Sequence, residues 1–457
     1  MHLPRSDFIK WEINMKSFIK YISSALFMLL LSGCVTTNPK SQPEVTSTNP
    51  TASPTSETKV WKQKSFVLSS FFAVGGGGKI QNRNWLAKTK EAGINMVELT
   101  FLSRSLLKSA VEACEMLKLP CIIQDLDANG GIGRDYPGFT EQSVKEFVDE
   151  YKEYSCVEGY YVWDEPHKDV FMKTRELRDL FKKYAPEKLA FSCVYPSYGV
   201  YNWSSSDFNW KNSTYGKYID EYLNEIQPEI LSLNYYPFAV TGLKSDIYRH
   251  DVWRDMGYVR KQAIETGTPN WHYFQGVSDL QKKTPDGLAV EQIKVQMYAA
   301  LAYGVKGLSY YTSYGLFLDE NGEKTSYYEP LTKINNKVKA IGDFLLDKKQ
   351  QELYHSGLDK PVEKMYFLDS FDDSTIVSDI PNHIIMGVFH DDDNKNVLVL
   401  VNKNYNEKVK GTMSLKNQGK VSLFDAETKR ITKVTAETKA VKLEIPPGDC
   451  TVYILET

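Results

Sequence analysis

The run Gly159-Tyr-Tyr-Val-Trp-Asp-Glu-Pro-His167 sets two adjacent carboxylates, Asp164 and Glu165, directly after an apolar stretch. Pro166 cuts off strand pairing, so the acidic pair falls at the end of a strand. A carboxylic acid whose surroundings raise its pKa can protonate the leaving oxygen of a glycosidic bond. Glu165 is placed for that task; the competing reading is that it pairs with a cation or caps the next helix. Further carboxylates end other strand-like runs: Glu98 in Met-Val-Glu-Leu-Thr, then Asp125 and Asp127 in Gln-Asp-Leu-Asp. Asn234, Tyr235 and Tyr236 close Ser-Leu-Asn-Tyr-Tyr, His272 and Gln275 lie in Trp-His-Tyr-Phe-Gln, and Tyr311 ends Gly-Leu-Ser-Tyr-Tyr. Tyr and Trp offer an apolar face with a polar edge, which suits sugar rings. The loop from Tyr195 to Trp210, with Tyr198, Tyr201 and Trp203, has the same character.

Other chemistries find no support. A phosphate-cradling loop needs Gly and Ser/Thr where Ala73 and Ile80 flank the run of four glycines. There is no Gly-x-Ser-x-Gly elbow, no nucleotide fingerprint and no His/Asp/Glu set with metal-ligand spacing, so no metal or other cofactor is implied.

The elements that must carry these residues follow from periodicity. Eight strand-like runs, 65–72, 95–101, 121–126, 159–163, 189–194, 230–235, 271–275 and 307–312, alternate with helical patterns. The last helical pattern, Glu291–Tyr303, aligns Ile293, Met297, Ala300 and Leu301 on one face. Eight such repeats predict an α/β chain folded as a (β/α)8 (TIM) barrel, and an open doubly wound sheet usually stops sooner. Function is then expected at the C-terminal strand ends. From about Lys360 the runs VEKMYFLDSF, NHIIMGVFHD, NVLVLVNKN, KGTMSLKN, KVSLFDAE, AVKLEIPP and CTVYILET are separated by turn residues alone. They predict a small all-β antiparallel sandwich. The expected organisation is a signal over 1–33, a tether over 34–60, a catalytic barrel over 61–350 and a sandwich over 351–457. The boundary falls in the polar stretch Lys348–Pro361.

YYVWDEP resembles the end of strand four in the clan of (β/α)8 glycoside hydrolases whose acid/base Glu precedes a small residue or Pro there. SLNYYPF, the stretch Gln296–Gly315 and the C-terminal run VLVLVNKN…CTVYILE are similar to barrel hydrolases with an appended β-sandwich. The resemblance implies that Glu165 is the proton donor, with Trp163, Tyr235 and Tyr236 stacking on or orienting sugar; His272 is a further candidate for orienting a hydroxyl. It also implies a nucleophilic Glu at the end of strand seven, where this chain has Gln275. An amide is no carboxylate nucleophile at neutral pH. Three routes stay open. The second carboxylate comes from Glu98, Asp125 or Asp127, at ~5–5.5 Å from Glu165 for retention or ~6.5–9.5 Å for inversion. Alternatively, Asp164 and Glu165 act as in substrate-assisted hexosaminidases, which requires a bulge to bring adjacent residues to one face. In the third route the barrel binds glycan without cleaving it.

The whole chain has 457 residues, 42% hydrophobic and 25% charged, with 55 Lys+Arg against 58 Asp+Glu. That is a globular composition with no basic excess for nucleic acid. Lys16 and Lys20 precede an apolar run, Tyr21–Leu31, shorter than the ~20 residues that span a bilayer, followed by Ser32-Gly33-Cys34. This reads as an export signal, of ordinary length if translation starts at Met15, and Leu-Ser-Gly-Cys resembles the bacterial lipobox. The resemblance implies lipidation of Cys34, a membrane anchor, and, with Val35 next, the outer membrane. The Thr/Ser/Pro-rich stretch that follows has the composition of a flexible tether. Cys114, Cys121, Cys156, Cys193 and Cys450 are expected to be mostly buried thiols. Replacing Cys34 by Ala should release the protein from membranes on fractionation or block its processing; unchanged retention and processing would refute the anchor.

Overall fold

The computed structural model describes residues 61–71, 83–126, 138–201, 214–238, 251–277, 288–313, 315–319, 321–357, 366–374, 376–391, 393 and 395–456. The signal, Cys34 and its tether, the Gly-rich run, Asp127, Trp203 and Trp210 lie outside the described residues.

Eight strands close into a barrel: β1 (Val67–Phe71), β2 (Val97–Leu99), β3 (Cys121–Ile123), β4 (Val157–Trp163), β5 (Leu189–Val194), β6 (Leu231–Asn234), β7 (Asn270–Gln275) and β8 (Gly307–Tyr311). All neighbours are parallel, and β1 meets β8 from Val67↔Gly307 to Phe71↔Tyr311. This is the (β/α)8 fold the alternation predicts. The intervening helices are α1 (Arg83–Glu91), α2 (Arg104–Leu117), α3 (Glu141–Tyr151), α4 (Phe171–Tyr184), the short α5 (Ser197–Tyr201), α6 (Thr214–Ile226), α7 (Val252–Thr266), α8 (Val290–Ala302) and α9 (Tyr328–Leu345). Residue parity divides each strand. Val67, Phe71, Ile122, Tyr161, Phe191, Cys193, Trp271 and Tyr273 fill the barrel interior. Their neighbours Leu68, Ile123, Val162, Val194 and Phe274 pack against the helices.

After α9 the chain forms one antiparallel sheet: β9 (Lys349–His355), β10 (Val377–Asp379), β11 (Ile384–His390), β12 (Asn396–Asn402), β13 (Val409–Asp425), β14 (Arg430–Ile445) and β15 (Cys450–Glu456). The order is β10-β13-β15-β12-β11-β9, with β14 on β13. The expected sandwich takes the form of a single sheet folded over its own core. Val409, Met413 and Leu415 of β13 and Val441 and Leu443 of β14 cover Met386, Val388, Leu398 and Leu400. Three details differ from expectation. The polar stretch taken as a boundary contains β9, and the described part of VEKMYFLDSF, 366–371, is not a strand. KGTMSLKN and KVSLFDAE are one long strand whose register shifts between Ser414 and Val421. Such irregularities bend a strand without ending it.

The opposite face of the sheet, with Ile385, Phe389, Val397, Val399 and Val452, joins the core around the barrel. Helix α8 lies between the two layers, so Gln292, Ile293 and every residue from Val295 to Ala302 are buried. The predicted apolar face is only part of its contact surface, as expected of a helix covered all round. β11 and β12 are buried on both faces as well, which explains their unbroken apolar runs. Gly387 in β11 marks the closest approach: a Cβ there would sit 2.1 Å from the Ala302 carbonyl oxygen of α8. Gly387→Ala should therefore destabilise the fold by about 1–3 kcal/mol, read as a lower midpoint of thermal or chemical unfolding. An unchanged midpoint would mean that the contact yields without cost.

Candidate active site

The barrel interior is layered, and the carboxylates occupy two levels. Glu98 lies in the middle of β2 with no exposed surface. Its Oε1 accepts from the hydroxyls of Ser69 (2.6 Å) and Ser309 (2.7 Å), and its Oε2 from Tyr273. Above it, Phe71 packs against Tyr161, Tyr273 and Tyr311, with ring centroids 5.8–5.9 Å apart. Glu98 is thus sealed beneath an aromatic layer, which removes it as the second catalytic carboxylate. Asp125 is buried just past β3.

The upper level is built by β4. Pairing with β5 shifts register between Tyr161↔Phe191 and Trp163↔Ser192, so the strand bulges at Val162. Tyr161 stays inside, while Trp163 is turned outward into the core between strands and helices with no exposed surface. The bulge corrects the sugar-stacking role expected of Trp163. It also re-aims Asp164 inward, where Oδ1 accepts from the Tyr161 hydroxyl (3.0 Å) and the Cys193 thiol (3.2 Å). Glu165 then adopts a left-handed backbone, φ 51°, immediately before Pro166. This conformation costs a non-glycine residue roughly 1–3 kcal/mol and is a mark of functional sites. The turn carries Glu165 towards β6, where Asn234 Nδ2 donates to its Oε1 (2.9 Å). Adjacent residues that an ordinary strand would send to opposite faces both reach the mouth.

No cation bonds to this pair among the described residues. Burial pushes the carboxyls of Glu98, Asp164 and Glu165 above their usual range. For Glu165 the nearby charge of Asp164 adds to burial, and the Asn234 hydrogen bond opposes it only in part. Coupled carboxyls titrate as a pair, and with two donors on one oxygen Asp164 is the better supported of the two as an anion.

Tyr236 and Tyr311 complete the mouth, with ring centroids 4.9 Å apart, and Tyr311 is half-buried. Burial followed by the charges of Asp164 and Glu165 pushes Tyr311 to about 12. These two rings and Asn234 lie at the mouth, beside the acidic pair. Tyr235 does not: it is fully buried, donates to Asp251 and packs edge-on to Tyr198. Tyr195 and Tyr198, from the aromatic loop, likewise pack on the outer core. His272 sits on the outward side of β7, and burial lowers it to about 3, so it is a neutral core residue with no view of the mouth. His167 Nδ1 faces Asp169 at 3.2 Å.

Gln275 occupies the end of β7 with no exposed surface. Its Oε1 accepts from the Phe238 amide (2.8 Å) and its Nε2 donates to the Val277 carbonyl (2.9 Å). It therefore ties together the segments following β6 and β7 and is not offered to substrate, a further correction. An amide fits because it both accepts and donates there, which an ionised carboxylate cannot do. Sequence reasoning missed Cys193. Its signal was parity: Leu189, Phe191 and Cys193 alternate along β5 and share the barrel interior.

Fold and mouth together define a (β/α)8 barrel with an appended antiparallel sheet and an acidic pair at the end of strand four. Among solved structures the chain is similar to a Bacteroides fragilis protein assigned as an alpha-galactosidase, with TM-score 0.51 and 10% identity over 86% of this chain and 79% of that one. It is similar to another from the same organism assigned as an alpha-galactosidase/melibiase, with TM-score 0.50 and 9% identity over the same shares. Both neighbours are described as glycoside hydrolases, and at this identity the likeness is one of fold. No family model and no curated protein matches the chain.

Gln275→Glu places a carboxylate where the Val277 carbonyl now receives a hydrogen bond. It should cost about 1–3 kcal/mol or more of stability and should not raise any hydrolytic rate. A stable Gln275→Glu variant with faster turnover would show that the position is a lapsed nucleophile site.

Proposed function

We propose that the protein is a glycoside hydrolase acting on an extracellular poly- or oligosaccharide, with Glu165 as the general acid. The observation that carries this reading is the convergence of Asp164 and Glu165 at the barrel mouth through a bulge and a left-handed turn, without a neutralising cation among the described residues. Such a site favours the protonated form of a carboxyl, which protonation of a glycosidic oxygen requires. Tyr236 and Tyr311 supply faces for a sugar ring. The barrel neighbours support a hydrolase scaffold, and the lipobox-like Leu-Ser-Gly-Cys34 supports an anchored, outward-facing body.

The same geometry favours a specific route. With Glu98 sealed below and Gln275 an amide, the carboxyl beside Glu165 is Asp164. Cleavage of a 2-acetamido sugar, with Asp164 orienting the acetamido group as internal nucleophile, needs no enzyme nucleophile. The ordinary route would rest on Asp125 or Asp127, and the separation of that carboxylate from Glu165 would set the stereochemical outcome.

Glu165→Gln should lower the rate on ordinary glycosides by ~10²–10⁴, the range of general acid catalysis. Aryl glycosides with good leaving groups should suffer less, because they scarcely need protonation. In the wild-type enzyme the rate should fall as pH rises through the raised pKa of Glu165, and Glu165→Gln should abolish that limb. A polysaccharide panel followed by NMR provides the substrate and the anomeric outcome. If no glycan is cleaved and Glu165→Gln alters affinity alone, the protein is a glycan-binding scaffold and the enzyme reading falls.

A further inference from the structure

The thiol of Cys193 stands at the centre of the acidic pair. It donates to Asp164 Oδ1 at 3.2 Å and lies 3.2 Å from the Tyr161 hydroxyl, which donates to the same carboxylate oxygen. Asn234 Nδ2, which holds Glu165, also approaches the sulfur at 3.5 Å, and a backbone hydrogen bond from Glu165 reaches it too. One buried sulfur therefore touches the anionic partner, the backbone of the acid and the amide that orients the acid. A thiol suits this place: it is a weak donor and weak acceptor, compact, and able to serve both sides at once.

We infer that Cys193 is a positioning residue that decides which member of the pair is ionised, fixing Asp164 as the anion and leaving the proton on Glu165. The inference rests on the proposed role of Glu165 but concerns the proton distribution, which exists whether or not a glycan is cleaved. Asp164 receives two donors on one oxygen, from Tyr161 and Cys193, whereas Glu165 receives one, from Asn234. Hydrogen bonds to the charged form favour ionisation, so the better-supplied carboxyl loses its proton first. Its charge then holds the proton on its neighbour. Among the described residues, the titratable groups whose interaction with Asp164 is shown are acidic or neutral: Glu98 on β2, Tyr161 and Glu165 on β4, Cys193 on β5, Tyr273 on β7 and Tyr311 on β8. None is a cation that would take over the task. The thiol itself is buried, and burial with the adjacent carboxylates pushes it up, so it stays a donor.

The test is the titration of the pair followed by infrared carboxyl bands, with Asp164→Asn and Glu165→Gln used to assign the two steps. Cys193→Ala removes one donor to the Asp164 carboxylate, which destabilises the anion and should raise the lower step by roughly one pH unit. The upper step should stay in place, because Asp164 is already ionised when Glu165 titrates. Cys193→Ser retains a hydroxyl donor and should restore the lower step. If a cleaved glycan is found, the acid limb of its pH–rate profile should follow the lower step in all three proteins. An unchanged lower step in Cys193→Ala, equal movement of both steps, or failure of Ser to restore it would overturn the inference. Absence of hydrolysis would sink the enzyme reading alone, since the infrared titration decides the role of Cys193 without turnover.

Discussion

Two carboxyl groups sharing a cleft without a cation repel each other as anions, and the mouth of this barrel is arranged around that repulsion. The bulge at Val162 sends Trp163 outward and Asp164 inward, and the left-handed Glu165 brings its carboxyl to Asn234. The conformational cost is met by a local environment that over-determines it. Trp163 is locked in the outer core, Tyr161 and Cys193 hold Asp164, and Asn234 holds Glu165. Burial and mutual repulsion both disfavour a second charge, while the donors on Asp164 favour a first, so the site opposes full ionisation more than a single charge.

The layer below shows how the barrel keeps a third carboxyl from joining this pair. Glu98 is satisfied by three hydroxyls and covered by the rings of Phe71 and its neighbours. Its bonds join β1, β2, β7 and β8, so it works as an internal brace. A like charge at the mouth itself would press on Asp164 and Glu165 far harder. Gln275 plays the corresponding part at the rim, where an uncharged amide bonds two backbone groups without adding to the negative charge.

Much of the architecture was legible in the sequence because strand–helix alternation is a local, periodic signal. All eight barrel runs, and helices such as α2 and α8, lie where their spacing puts them. The acidic pair was legible too, since Pro166 marks the strand end. What periodicity cannot carry is side-chain direction through an irregularity. One extra residue in β4 turned Trp163 away from the mouth and brought Asp164 to the same face as Glu165. Tyr235 and Tyr236, adjacent in sequence, separated into outer core and mouth by simple parity. Gln275 was read by analogy of position, but its function is set by the Val277 carbonyl two residues on and by the Phe238 amide in the segment after β6, a partner that no spacing reveals. β13 was read as two strands because a register shift looks like a turn in sequence.

Helix α8 belongs equally to the barrel and to the sheet, and this has a bearing on the chain as a genetic object. The short connection between Leu345 and Lys349 has the outward form of a joint between exchangeable units. Yet a barrel cut there would bare a helix whose residues from Val295 to Ala302 are all apolar or amide-bearing and buried. The severed sheet would expose Ile385, Phe389, Val397 and Val399 in turn. Each piece alone would present an apolar face in need of a partner of matching surface, so an exchange of either region has to bring its counterpart with it.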